Sequence, residues 1–170
     1  MYISVDVESD GQIPNKYSMV CFGAVIVDER LDKTFYGQTR PISKIWEPEA
    51  LAISGVSREE HEKFDDPAVV MQRFYDWIKL NCKGQPIFIA DNPAYDFAWI
   101  NYYFHYYLGK NPFGFSARRI GDLFCGFYND PYYKWKHLRD TKHTHSPVDD
   151  AMGNAEALLK LQKAGFKIKF

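Results

Sequence analysis

The chain has 170 residues, the size of one ordinary domain, and 46% of them are hydrophobic, which is enough to build a buried core. Its 21 basic and 22 acidic residues give a net charge of −1, which excludes nucleic-acid binding by bulk charge alone. Three widely spaced cysteines predict neither a disulfide framework nor a zinc site and favour a reducing cytoplasm. We expect no signal peptide and no membrane span, since no basic leader is visible and no apolar run approaches about 18 residues. The sequence therefore predicts one cytoplasmic domain over residues 1–170.

The first forty residues predict three strands that are able to pair antiparallel. Residues 2–8 alternate between apolar and polar side chains, which places Asp6 and Glu8 together on one face. Residues 20–27 are almost continuously apolar, as is typical of a strand that is covered on both faces. Residues 33–40 follow after a turn and predict the returning arm of a hairpin.

Beyond residue 41, helical and strand patterns alternate. They predict helices over 47–53, 66–82, 94–108 and 147–164, and strands over 87–90 and 119–123. The segment 124–146 has no clear pattern. Strands first, then strand and helix in alternation, indicate an α/β fold in which helices flank a mixed five-stranded sheet.

Two carboxylates lie side by side on the first predicted strand. Asp6 and Glu8 would be about 7 Å apart at the rise of an extended chain, and their negative charges repel each other. A divalent cation such as Mg²⁺, which prefers carboxylate oxygen, would relieve this repulsion. A strand face that looks at water would explain the pair equally well, and the local pattern leaves both interpretations open.

A third carboxylate, Asp96, points inwards on the helix predicted over 94–108. On the helical wheel it shares a face with Trp99, Ile100 and Tyr103. A carboxylate in such surroundings must be paired, hydrogen-bonded or bound to a metal. The acid just before this helix, Asp91, is more typical of a turn.

The last helix begins at a cluster of polar residues, His145 to Asp150. Ser146 is predicted to cap the helix, with Asp149 completing a capping box. Asp150 instead falls on a stripe of small and apolar residues, so the cap does not explain it. His145 lies beside the helix N-terminus, and an imidazole is able to take a proton from water near neutral pH.

Together these motifs resemble the DEDDh family of 3′–5′ exonucleases, a branch of the ribonuclease H-like fold that includes proofreading domains and small exoribonucleases. Three motifs carry the resemblance, in the family's order and across nearly the whole chain. They are Asp6-Val7-Glu8, then Asn92-Pro93-Ala94-Tyr95-Asp96, and then His145 followed five residues later by Asp150.

The resemblance implies an activity, cofactors and site residues. Asp6, Glu8, Asp96 and Asp150 would bind two divalent ions, Mg²⁺ or Mn²⁺, and His145 would act as general base on the attacking water. Around the terminal nucleotide the resemblance implies six further residues: Ser9, Gly11, Ile53, Ser54, Asn92 and Tyr95. One departure from the family pattern is Asp10, which we expect to add an acid beside the site.

The expected partner is the 3′ end of a single-stranded nucleic acid. Residues 116–145 contain six Lys or Arg against three acids, interleaved with the aromatic side chains of Phe127, Tyr128, Tyr132, Tyr133 and Trp135. These rings either stack on bases or belong to the core, and both interpretations stay open.

Resemblance to the small exoribonucleases favours RNA over DNA. The alternatives are a DNA-directed proofreading or repair exonuclease and a non-catalytic binding module, the latter disfavoured by the intact set of acids. The aromatic helix over 94–108, apolar on most sides, suggests burial against a second subunit in a homodimer.

Overall fold

The computed structural model describes residues 1–168, which contain five strands and six α-helices. The strands are β1 (Tyr2–Ser9), β2 (Met19–Ile26), β3 (Thr34–Gln38), β4 (Ile87–Ala90) and β5 (Ala117–Arg119). The helices are α1 (Pro48–Ile53), α2 (Arg58–His61), α3 (Pro67–Asn81), α4 (Pro93–Leu108), α5 (Ile120–Tyr128) and α6 (Pro147–Lys163), with a 3₁₀ turn at Lys136–Leu138. None of these helices is both long and apolar enough to span a membrane.

The five strands form one mixed sheet in the order β3-β2-β1-β4-β5. β1 pairs antiparallel with β2, and β2 with β3, whereas β4 runs parallel to both β1 and β5. α6 packs on one face of the sheet, and α3 and α4 cover the other. The predicted α/β architecture, a mixed five-stranded sheet flanked by helices, is confirmed.

β1 is the central strand, and its two faces have different surroundings. Ile3, Val5 and Val7 are buried in the core beneath α3 and α4. Asp6 and Glu8 lie on the opposite face, where α6 begins, because successive side chains of a strand alternate. The parallel strands β1 and β4 both end at this edge of the sheet, so the polar residues that follow them are brought together.

Two segments differ from the sequence prediction. The strand predicted over 119–123 is wrong: β5 ends at Arg119 and the helix α5 follows directly. Ile120, Gly121 and Phe124 are buried on one face of α5, at helical spacing, and so short an apolar run does not distinguish a strand from a helix by its pattern. The short helix α2 was not predicted, although Ser57 and Glu60 form a capping box, which is a sequence signal for the start of a helix. The other elements agree with the predicted bounds to within three residues.

Candidate active site

The N-terminus of α6 lies directly against the sheet at Gly23, and this contact builds the site. Gly23 is the partner of Asp6 in the β1–β2 register. A Cβ at position 23 would lie 2.4 Å from the backbone of Pro147, so glycine alone permits the approach. As a result Asp150 joins the two acids of β1, and carboxylate oxygens of Asp6, Glu8 and Asp150 lie within 4.8 Å of one another.

Asp96 reaches the same region from the other side of β1. Its carboxylate accepts a hydrogen bond of 3.1 Å from the backbone N–H of Val7, and its side chain is almost fully buried. The pairing of β4 with β1 stops at Ser4, so the α4 carboxylate is able to take up an N–H further along the strand. The inward orientation predicted for Asp96 is therefore confirmed.

The pKa values show that these carboxylates are crowded and poorly solvated. Burial, followed by the charges of Asp96, Asp150 and Glu8, raises the pKa of Asp6 well above its usual value. Burial and the charge of Asp150 raise the pKa of Glu8 to about 7. Burial raises the pKa of Asp96 to about 8, against the lowering effect of two backbone N–H groups. Asp6 and Glu8 therefore do not lie on a face that looks at open water.

This set of donors fits a divalent cation. Carboxylate oxygens are the preferred ligands of Mg²⁺ and Mn²⁺. A bound cation would offset the burial, and the smaller charge repulsion, that raise the pKa values of Asp6, Glu8 and Asp96. The guanidinium of Arg139 lowers the pKa of Asp6, but the opposing effects are larger. The acid cluster, defined as Asp6, Glu8, Asp96 and Asp150, is thus the candidate metal centre.

His145 approaches the acid cluster from the solvent side. Its backbone N–H donates to Oδ2 of Asp150 at 3.1 Å, and its Nδ1 lies 3.8 Å from Oε1 of Glu8. The residue has a positive φ of 60°, a conformation that costs about 1–3 kcal/mol for a residue other than glycine. About half of its side chain is exposed, so the imidazole is open to an incoming ligand.

A second histidine, His143, also reaches the acid cluster. Its side chain is half exposed, and its Nδ1 is 2.6 Å from Oδ1 of Asp150. The rings of His143 and His145 meet edge to face, with centroids 4.4 Å apart. The backbone here is not extended, since His145 has a positive φ, so no strand or helix period predicted this contact.

Ser146 is the N-cap residue of α6, as predicted, but the predicted capping hydrogen bonds are wrong. Within residues 1–168 the Ser146 side chain caps no N–H group, and Asp149 accepts from the hydroxyl of Thr144 at 3.1 Å instead of completing a capping box. The carboxylate of Asp150 takes the N–H groups of Thr144 and His145. Asp150 thus fixes the backbone of the two residues Thr144 and His145, which precede α6, whereas Asp149 lies outside the acid cluster.

Three of the residues implied for the terminal nucleotide come together at the end of β1. The Ser9 hydroxyl donates to the carbonyl of Gly11 and is hydrogen-bonded to the hydroxyl of Tyr95. Gly11 is packed so closely on Tyr17 that a Cβ would overlap the ring. Ser9 and Tyr95 therefore form a fixed polar pair that links β1 to α4.

The other three implied residues lie on nearby loops and helix ends. The side chain of Ile53, in α1 beside β1, is 52% exposed. The hydroxyl of Ser54 donates to the carbonyl of Leu51 at 2.7 Å and so closes the end of α1. Asn92 is exposed at the start of α4, and its side chain caps no N–H of that helix in the described chain.

Asp10 belongs to a different part of the fold than expected. It is buried and accepts hydrogen bonds from the Arg58 guanidinium at 2.8 Å and from the N–H of Ser18. These contacts join the segment after β1 to α2. Asp10 is therefore a structural acid that ties loops together, and it lies outside the acid cluster.

The sequence did not predict that Arg139 acts on the acid cluster. In the sequence it is one of six Lys or Arg in residues 116–145, which suggested only contacts to phosphates. It is largely buried, donates to Oδ1 of Asn154 at 2.6 Å and lies 3.6 Å from Asp91. Its guanidinium sits 4.9 Å from the ring centroid of Trp135. Gly153 provides the space, because a Cβ there would lie 3.1 Å from the Arg139 side chain. The sequence signal for this contact was the pair Gly153 and Asn154 on the inward face of α6, where a small and a polar residue leave room and a partner for a buried cation.

The aromatic residues between 124 and 135 divide between core and surface. Trp135 is buried and its ring stacks parallel on Phe124, as does that of Tyr133. Tyr132, in contrast, is 86% exposed, and Tyr128 is partly exposed. Some of these rings therefore belong to the core, as Trp135 does, and others, such as that of Tyr132, are free to stack on bases.

The sheet order and the acid cluster define a ribonuclease H-like nuclease. No protein-family model matches the chain. The 3′–5′ DNA exonuclease Cap18 of Escherichia coli is 35% identical over 182 residues, covering 99% of this chain and 95% of that protein. The nuclease domain of 3′hExo, a DEDDh family member solved with rAMP, aligns with a TM-score of 0.78 at 17% identity over 99% of this chain and 94% of its own.

Escherichia coli Exonuclease I, solved with a dA16 oligonucleotide, aligns with a TM-score of 0.72 at 17% identity. It covers 96% of this chain, which spans 40% of that longer protein. The chain belongs to the DEDDh family of 3′–5′ exonucleases.

Proposed function

We propose that this protein is a metal-dependent exonuclease that removes nucleotides from the 3′ end of single-stranded DNA. The observation that carries the proposal is the acid cluster, in which three carboxylates lie within 4.8 Å of one another and Asp96 is held against the same strand. The choice of DNA is supported by Cap18 of Escherichia coli, which matches this chain over nearly its whole length and is a DNA exonuclease.

RNA, which the resemblance to small exoribonucleases favoured, stays as the second candidate. It is supported by the fold similarity to 3′hExo, whose structure holds rAMP, and to a 3′-exonuclease that recognises a histone mRNA stem-loop. The ratio of the cleavage rates on DNA and RNA of matched sequence decides between the two candidates.

In this proposal Asp6, Glu8, Asp96 and Asp150 hold two divalent ions, Mg²⁺ or Mn²⁺. Such ions lower the pKa of water and neutralise negative charge that develops on a leaving oxygen. The protein's own contribution is to hold the four carboxylates in converging positions in spite of their burial. The N–H groups of Thr144 and His145 hold the carboxylate of Asp150, and the N–H of Val7 holds that of Asp96.

His145 is proposed as the general base. A neutral imidazole is able to accept a proton from the attacking water. Its exposed ring, 3.8 Å from Glu8, is within reach of the acid cluster. His143 is the competing base, but it is engaged with Asp150 at 2.6 Å, which suits a residue that positions a carboxylate.

The terminal nucleotide is proposed to bind at the end of β1. Ser9 and Tyr95 present fixed hydroxyl groups there, and Gly11 keeps the backbone close. Three further residues complete the proposed pocket: Ile53 with its exposed apolar side chain, Ser54 and Asn92.

We further propose that residues 1–170 form a single domain that works in the cytoplasm, where its three free cysteines would stay reduced. The homodimer suggested by the aromatic helix α4 also stays a proposal. Three of its eight aromatic rings, those of Trp99, Tyr103 and Phe104, are buried within the chain, while Tyr106 is 66% exposed. Light scattering tests it, and a monomer would contradict it.

The deciding assay uses purified protein with Mg²⁺ or Mn²⁺ and 5′-labelled single-stranded DNA and RNA of matched sequence. A ladder that shortens from the 3′ end, absent with EDTA and in Asp6→Ala, is the expected result. Asp149→Asn serves as the matched control, because Asp149 lies outside the acid cluster and should leave the ladder intact. The ratio of the two rates identifies the preferred strand, and no cleavage of either would favour a non-catalytic binding module.

A further inference from the structure

Two histidines and an aspartate at the border of the acid cluster form a second group of metal-type donors. One ring nitrogen of His143, one of His145 and a carboxylate oxygen of Asp150 all lie within 4.8 Å of one another. We call these three residues the histidine group. It shares only Asp150 with the acid cluster, and its other two donors are nitrogen atoms. The two groups adjoin, but they offer a cation different chemistry.

The donor set of the histidine group favours a different ion from that of the acid cluster. Oxygen donors alone suit Mg²⁺, whereas imidazole nitrogen suits Zn²⁺. Where nitrogen and oxygen donors are mixed, Zn²⁺ also binds more tightly than Mn²⁺. Two histidines and one carboxylate, with a fourth position left to water, are a donor set that zinc sites use. Zn²⁺ therefore fits the histidine group better than Mg²⁺ or Mn²⁺ does.

The distances in the histidine group admit such an ion after a small movement. Zn²⁺ holds nitrogen and oxygen ligands at about 2.0–2.2 Å, so two ligands of a tetrahedral site are about 3.4 Å apart. Nδ1 of His143 lies 2.6 Å from Oδ1 of Asp150, which is a hydrogen-bond distance. Zn²⁺ would replace the proton between these two atoms, which moves to Nε2 of the ring or to water. The ring of His143 would withdraw by about 1 Å, and its side chain is 55% exposed, which leaves it free to do so.

The carboxylate of the histidine group is held in place before any ion binds. The Asp150 side chain is buried, and its two oxygens accept the backbone N–H groups of Thr144 and His145 at 3.2 and 3.1 Å. Each carboxylate oxygen keeps a further lone pair for a metal. Hydrogen bonds to a ligating residue orient it and strengthen metal binding. The histidine group thus combines one fixed ligand with two half-exposed rings, which give an ion a route of entry.

We propose that the histidine group is a zinc site that inhibits the enzyme. Zn²⁺ is bound by His143, His145 and Asp150, with water in the remaining position. A neutral imidazole has one ring nitrogen that is able to accept a proton, and in His145 the ion takes it. The inhibition rests on the proposed exonuclease function, in which His145 is the base, whereas the zinc site rests on the three donors alone.

The first test measures zinc binding by calorimetry in excess Mg²⁺, which competes for the acid cluster. His143→Ala is compared with His105→Ala, the matched control, because His105 is another exposed histidine but lies in the last turn of α4. We expect the Kd for Zn²⁺ to rise about a hundredfold in His143→Ala, since a lost ligand costs at least as much as a lost outer partner. The control should keep the wild-type Kd, and an unchanged Kd in His143→Ala would overturn the zinc site.

A second variant shows which group holds the zinc. Asp6→Asn/Glu8→Gln removes two carboxylates of the acid cluster and leaves the histidine group whole. We expect this double variant to keep a Kd for Zn²⁺ close to that of the wild type. A Kd that rises in the double variant but not in His143→Ala would assign the ion to the acid cluster and overturn the proposal. Thermal unfolding in EDTA checks that each variant is folded.

The second test measures cleavage of single-stranded DNA in Mg²⁺ at rising concentrations of Zn²⁺. The wild-type rate should fall with a midpoint near the Kd from calorimetry. In His143→Ala the midpoint should move to a Zn²⁺ concentration about a hundredfold higher, each rate being taken relative to the same protein without zinc. A wild-type rate that stays constant while the site fills would overturn the inhibition.

The zinc site and the exonuclease fail in different ways. A wild-type protein that cleaves no strand in Mg²⁺ would contradict the exonuclease, and the Kd values of the variants would still decide the zinc site. A wild-type protein that cleaves DNA, with the same Kd for Zn²⁺ in every variant, would support the exonuclease and overturn the zinc site.

Discussion

The close contact between Gly23 and the start of α6 gives the sharpest test of how the acid cluster is assembled. In Gly23→Ala the added Cβ would lie 2.4 Å from backbone atoms of Pro147 and Val148, whereas ordinary contact begins at 3.4 Å. The N-terminus of α6 must therefore retreat by about 1 Å. Overpacking of this kind costs about 1–3 kcal/mol. For a chain of this length, that loss lowers Tm by about 2–12 °C.

The same retreat should damage the site more than the fold. Asp150 is three residues beyond Pro147, so it moves away from Asp6 and Glu8, and a misplacement of 1 Å is able to cost about a hundredfold in rate. Thermal unfolding in EDTA measures the first effect. Mn²⁺ binding by calorimetry and the rate of DNA cleavage measure the second.

Gly126→Ala is the matched control. Position 126 lies in α5, and a Cβ there would meet no atom of the described residues within 4 Å. Alanine in a helix is favoured over glycine by about 1 kcal/mol, so this variant should be at least as stable as the wild type and equally active. A Gly23→Ala protein with the Tm and Mn²⁺ affinity of the wild type would refute the reasoning.

Three further predictions concern single side chains of the site. Asp150→Asn should abolish cleavage, whereas Asp149→Asn should keep it and cost about 1 kcal/mol or less at the helix N-terminus; equal activities would contradict the assignment. His145→Ala should lower turnover and leave Mn²⁺ affinity largely intact, and a larger loss of turnover in His143→Ala would transfer the role of base to that residue. Because the pKa of Glu8 is raised from 4.5 to about 7, the folded protein binds the extra proton, and the free energy of unfolding in EDTA should fall as pH rises through that window. Glu8→Gln should flatten this fall, and parallel pH profiles of the two proteins would argue against it.

Local patterns were enough to predict most of the secondary structure. The alternation in β1 identified the buried side of the strand. The helix predicted over 66–82 corresponds to α3, and Asp66 caps it by accepting the N–H of Ala68. Periodicity and capping depend on residues only a few positions apart, so they are legible in the sequence. The strand expected over 119–123 was wrong because the run was too short for its period to decide between helix and strand.

The four acids were predicted from local patterns, Asp6 and Glu8 as a pair on one strand and Asp96 and Asp150 each from its own helix. Their roles as metal ligands, and that of His145 as a base, remain predictions that the proposed assays test. The motifs also carried the family resemblance, since each one is contained within a strand end or the first turn of a helix. To this extent the sequence by itself determined most of the elements, the fold class and the family.

Only the tertiary structure decided which of these groups meet. Asp150 lies beside Asp6 because Gly23, on a neighbouring strand, lets α6 start on the sheet. Arg139 reaches Asp91 because Gly153 leaves it space, and the local pattern around Arg139 does not specify that partner. Packing across the sheet joins residues more than a hundred positions apart, and close approach there depends on the shapes of both partners at once.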